Sequence, residues 1–152
     1  MLDAICQTTG VAEKFQGVPV GSRAIDLWDS SVPHYFLETF GRPVRATACE
    51  CERISEPTVG QVLHILNSPG IESKLSHEAG TIRQIASTYE DNEIAIQRLY
   101  LTFFNRYGDK QEISTAVQYI EQGSNRRESL EDIAWSMLNS LVFLFNHSCN
   151  SL

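Results

Sequence analysis

A chain of 152 residues, 42% hydrophobic and 20% charged, fits one domain that buries roughly 68–70% of the surface its unfolded form exposes, and it lacks the composition of a disordered segment. A net charge of −7, with no Lys/Arg run to reverse it locally, repels polyanions, so no nucleic acid is expected as a partner. No apolar run approaches the roughly 18–20 residues of a bilayer span, no basic start and apolar stretch mark a signal peptide, and four irregularly spaced cysteines do not make a disulfide-stapled scaffold.

Taken in order, residues 2–9 have the spacing of a short helix with Leu2, Ile5 and Cys6 on one side and Gly10 as its stop. Two glycines and a proline make residues 15–22 a loop, and residues 23–28 alternate in part, as a short strand or extended segment does. Tyr35, Phe36 and Phe40 share a helical face over residues 32–40, which Gly41 and Pro43 end; residues 42–51 read as irregular. Ser55 or Glu56 can cap a helix with Pro57 in its first turn and Val59, Val62, Leu63 and Leu66 as its stripe. Asn67-Ser68-Pro69-Gly70 is a turn by composition, followed by one helical turn over residues 71–75 and a helix over residues 80–87.

The second half is more regular. Asp91 caps a helix over residues 92–106, with Ile96, Leu99, Tyr100, Phe103 and Tyr107 as its stripe and Gly108 as its end. Asp109 and Glu112 have capping-box spacing and open a helix over residues 110–122 that buries Ile113, Val117 and Ile120. Ser124 or Asn125 then caps a last helix, whose stripe Leu130, Ile133, Ala134, Met137, Leu138, Leu141 and Phe145 runs through four turns with Glu131 and Asp132 turned away. The predicted fold is mainly α: an irregular multi-helix domain of about six helices, spanning residues 1–152, with a loop-rich N-terminal third.

The chemically dense spot is Cys49-Glu50-Cys51-Glu52-Arg53. An irregular turn can point both thiols one way, as a bidentate thiolate site or a strained disulfide, and the bland alternative is a pair of buried, inert thiols. A metal there needs further ligands, for which His64, His34 or Glu52 are candidates only if the fold brings them near. Glu50, Glu52 and Glu56 beside Arg53 form an acid–base pair or, on the plainer reading, an ion-pair cluster. His147 suits an axial haem ligand or a cation at a helix C-terminus. No glycine-rich phosphate loop, H-E-x-x-H or G-x-S-x-G motif occurs.

The words Leu2-Asp3-Ala4-Ile5, Gly21-x-Arg23-Ala24, Phe40-Gly41-Arg42-Pro43, Cys49-Glu50-Cys51-Glu52-Arg53, Leu99-Tyr100-Leu101 and Phe143-Leu144-Phe145-Asn146-His147 resemble a domain of unknown function typical of planctomycete-type secreted proteins. There it forms the C-terminal region behind another uncharacterised domain and often an N-terminal cytochrome-c-like haem domain. The resemblance implies that this chain is the C-terminal portion of a longer exported protein, periplasmic or envelope-associated, with the preceding domains as its partners. It implies no cofactor in this chain, haem belonging to a separate upstream domain, and an oxidising compartment that favours a disulfide between Cys49 and Cys51. Gly108-Asp109 and Leu141-Val142 depart from the family pattern. The expected function is a helical accessory or interaction domain with no catalytic constellation of its own; the alternative is a redox or metal site at Cys49 and Cys51.

Overall fold

The computed structural model describes residues 1–19, 21–27 and 69–148, the side chains of 145–148 excepted. The expected helices over 32–40 and 57–67 and the irregular segment between them lie outside the described residues. Within them the chain is helical: α1 (Leu2–Thr9), a 3-10 turn (Ala24–Asp26), α2 (Pro69–Leu75), α3 (Thr81–Thr88), α4 (Asn92–Phe104), α5 (Lys110–Gln122), α6 (Arg126–Leu138) and α7 (Leu141–Ser148). No strand occurs among the described residues.

Local chemistry sets most of these boundaries. The Asp91 carboxylate accepts from the Ile94 N–H and starts α4; Asp109 and Glu112 form the reciprocal capping box of α5; the Asn125 side chain accepts from the Arg127 N–H at the head of α6. Each satisfies backbone donors that a helix start otherwise leaves open. At the end of α1, Gly10 adopts a left-handed φ of 70°, and a Cβ there would lie 2.6 Å from Thr81 Oγ1. Glycine is therefore required on two counts, backbone conformation and the close approach of α3.

Four expectations are corrected. Residues 23–28 form no strand in their described part: between an extended Arg23 and an extended Leu27, Asp3 accepts from the Ala24 and Ile25 N–H groups at 2.6 and 3.0 Å, and the chain winds into a 3-10 turn. Pro69 and Gly70 do not form a turn but open α2, as proline's missing N–H allows in a first helical turn. Helix α4 stops two residues short of Arg106 because Asn105 takes a left-handed conformation with φ 54°, a region asparagine tolerates better than most residues. Tyr107 is consequently 70% exposed rather than in the core. The last helix is two: the Ser140 hydroxyl accepts from the Phe143 N–H at 3.2 Å, restarting the chain as α7 with Leu141 and Val142 exposed and Phe143 and Leu144 buried.

Helix α6 is the hub, touching α2, α3, α4, α5 and α7. Its Leu130, Ala134 and Leu138 are fully buried against a core that includes Ile82, Ile96, Leu99 and Phe103. The Phe103 and Phe143 rings, 6.1 Å apart and tilted by 50°, tie α4 to α7. On the far side α1 packs on α2 and α3. There the Lys74 ammonium, nearly buried, donates to the Val11 and Ala12 carbonyls and pairs with Glu13 at 3.2 Å, so its charge is solvated by protein groups. Truncation of Leu138 to alanine is expected to cost about 2–5 kcal/mol in a denaturant titration, through lost transfer energy and a cavity. A loss below about 0.5 kcal/mol, the size of a surface effect, would contradict the central placement of α6.

Candidate functional site

Helices α5 and α6 leave between them a groove of about 860 Å³, within the usual size range of ligand pockets. Glu112, Thr115, Ala116 and Tyr119 of α5 line it at i, i+3, i+4 and i+7, and Asp132, Trp135 and Ser136 of α6 face them at i, i+3 and i+4. Ile133 and Met137 are its buried floor, and Tyr100 of α4 with Asp109 closes one end. Above the floor stand two large aromatic side chains that the fold does not bury, Trp135 at 39% and Tyr119 at 49% exposure. The α4–α5 connection is held at this end by Gln97, which donates to the Gly108 carbonyl and accepts from its N–H at 3.3 and 3.1 Å.

Two polar clamps fix the rim. Arg106 grips Glu112 through two hydrogen bonds of 2.7 and 2.8 Å, its guanidinium lying 5.2 Å from the Tyr100 ring centre and 5.6 Å from that of Phe104. Those hydrogen bonds lower the Glu112 pKa to about 2 and raise that of Arg106. Burial, then the nearby Glu112 charge, pushes the Tyr100 phenol up. Across the groove the Tyr119 O–H donates to Asp132 at 2.8 Å, and this bond holds the phenol proton and raises its pKa. Neither Asp132 nor Asp109 forms an ion pair with a described residue; the helix dipole offsets part of the Asp109 charge at the head of α5, and Asp132 leaves negative charge on the rim.

The residues singled out in the sequence fall elsewhere in the chain. Cys49, Glu50, Cys51, Glu52, Arg53 and His64 lie outside the described residues, as do His34 and Glu56; His147 belongs to α7 but its side chain is outside the description. Cys6 is a free, half-buried thiol whose pKa is raised first by burial. Among the described residues, no group of three or more His, Cys, Asp or Glu side chains is placed to hold a metal ion. Nor is there a described helix long and apolar enough to cross a membrane. Sequence reasoning missed the groove, although one signal was present: Trp135 and Tyr119 stand off the apolar stripes of their helices, where a charged or small residue is the norm.

Residues 20–120 match the family described as PSD1, a protein of unknown function (DUF1553), and the chain belongs to that family. No curated protein and no solved structure matches it.

The Arg106–Glu112 clamp has a defined pH signature. A carboxyl whose folded pKa is depressed contributes stability that is present above its ordinary pKa of 4.5 and is lost as pH falls through about 2. With Arg106 45% exposed, the contribution is about 0–1 kcal/mol. An NMR titration of the Glu112 carboxyl should show a midpoint near 2, moving up toward 4.5 in Arg106→Met. A wild-type midpoint already near 4.5 would show that the clamp does not form.

Proposed function

We propose that this chain is a helical accessory or interaction domain, with no catalytic constellation of its own, that docks onto the other domains of a secreted, haem-linked protein. The observation that carries this reading is the α5–α6 groove, where Trp135 and Tyr119 stand exposed above an apolar floor. Aromatic side chains of this kind supply most of the binding energy in protein interfaces, because they bury a large area with few rotatable bonds. Leu141 at 68% and Val142 at 45% exposure add apolar surface at the start of α7. They occupy the position where the chain departs from the family pattern by being more apolar.

The family resemblance supports the location and the company: export to the periplasm or cell envelope, upstream domains as partners, and haem in a separate domain rather than in this chain. The net charge of −7 supports a protein partner over nucleic acid. Among the described residues, Asp91 and Asp109 are taken up as helix caps and Arg106, Arg126 and Arg127 are held in multiple hydrogen bonds, which supports contact over chemistry.

The purified chain should enhance the fluorescence of an uncharged hydrophobic dye such as Nile red while retaining a cooperative thermal transition, and Trp135→Ser should lower that signal about twofold or more. A compact, monodisperse protein that binds no dye would contradict the docking-surface reading.

A further inference from the structure

We propose that the α5–α6 groove binds a basic, amphipathic segment of a partner protein, its aliphatic residues on the Ile133 and Met137 floor and a lysine or arginine laid over Trp135 to meet Asp132. This rests on the docking-surface reading and names the chemistry of the partner.

Charge and hydrogen-bond capacity select that occupant. Three hydroxyls lining the groove already donate inward: Thr115 to the Gln111 carbonyl at 2.8 Å, Ser136 to the Ile133 carbonyl at 2.7 Å, and Tyr119 to Asp132 at 2.8 Å. The strongest acceptors left at the rim are carboxylates. Asp132 receives one phenol hydrogen bond and has no cation partner among the described residues, and Asp109 receives only the cap bond from the Glu112 N–H at 2.8 Å. Glu112 is neutralised in place by Arg106.

The aromatic groups strengthen this selection. A cation within about 6 Å of an indole face is attracted by the ring quadrupole, and the attraction grows as the site loses water. Asp132 and Trp135, three residues apart on α6, are surface neighbours. One long basic side chain can thus cover the indole with its methylene stem and place its charge at the carboxylate. The floor of Ile133, Met137 and Ala116 supplies the apolar half, as in recognition of an amphipathic helix by a groove.

The test is an NMR titration of the isotope-labelled chain, following the Trp135 indole N–H resonance identified by its loss in Trp135→Phe. The probes are an amphipathic peptide of leucine, alanine and lysine, its counterpart with glutamate for lysine, and a neutral cello-oligosaccharide. The lysine peptide should shift the Trp135 resonance and those of the α5 and α6 groove residues. Its affinity should fall about tenfold in Asp132→Asn, which keeps a hydrogen-bond acceptor but removes the charge. It should also fall several-fold as ionic strength rises from about 0.1 to about 1 M, where the screening length drops from about 10 to about 3 Å. The glutamate peptide should leave the resonance in place. Equal binding of both peptides, a shift with the oligosaccharide instead, or no shift at millimolar lysine peptide would overturn the proposal. If the dye still binds while the lysine peptide does not, this proposal fails and the docking-surface reading stands; if the dye is silent too, both fail.

Discussion

The orientation of α6 depends on one partly buried cation. Arg126, the first residue of that helix, donates to the Ala86 carbonyl at 2.8 Å, the Tyr89 carbonyl at 2.6 Å and the Asn92 side chain at 2.7 Å. A guanidinium at a helix N-terminus is unfavourable with respect to the helix dipole. Here it is retained because it satisfies carbonyls at the end of α3 and in the turn to α4, which no helical N–H can reach. Arg127 extends the junction to Glu78, Glu131 and the Ser76 carbonyl. With its head fixed against the α3–α4 turn, α6 must turn Leu130, Ala134 and Leu138 into the core. Asp132 and Trp135 are then carried to the opposite side, beside α5. The groove is thus a consequence of how the hub helix is pinned, and its aromatic rim stands on a rigid element.

The same junction explains which features were legible in the sequence. The heads of α4, α5 and α6 were readable because each is set by a side chain within three residues: Asp91, Asp109 with Glu112, and Asn125. Their buried faces followed from periodicity, since Ile96, Leu99, Phe103, Leu130, Ala134 and Leu138 all fall where a helical stripe puts them. The errors came from interactions that a stripe does not encode. The 3-10 turn at Ala24 is imposed by Asp3, 21 residues away. The break between α6 and α7 falls at Asn139-Ser140, where the apolar stripe continues in register on both sides, so that Asn139 as the cap of α6 and the Ser140 hydroxyl as the restart of α7 go unnoticed. The groove was invisible because it is made of two half-faces on separate helices, each of which alone reads as a solvated surface. The Cys49–Arg53 cluster, most conspicuous in the sequence, lies outside the described residues.

Energetically the two sides of α5 have different tasks. Toward the core, Ile113 and Ile120 are buried and stabilise by removing apolar surface from water. Toward the groove, the capping box and the Arg106 clamp contribute little net stability, being largely exposed, but they fix the geometry of the rim. Preorganisation of this kind lowers the cost of binding, because side chains already held by hydrogen bonds lose less entropy when a partner arrives. The Tyr119–Asp132 bond does the same across the groove, joining α5 to α6 at the place where the partner's charge would sit.

A docking role requires the groove face of α6 to be covered in the assembled protein. The most direct measurement is site-specific photocrosslinking with a benzophenone side chain placed at Trp135 in the protein expressed in its native host, with the highly exposed Ile25 position as the reference. A covered groove gives a single dominant adduct from position 135, mapping by mass spectrometry to one segment that carries lysine or arginine beside apolar residues, and none of comparable yield from position 25. No adduct at position 135, or equal and scattered adducts from both positions, would show that the groove faces solvent and that no partner docks there.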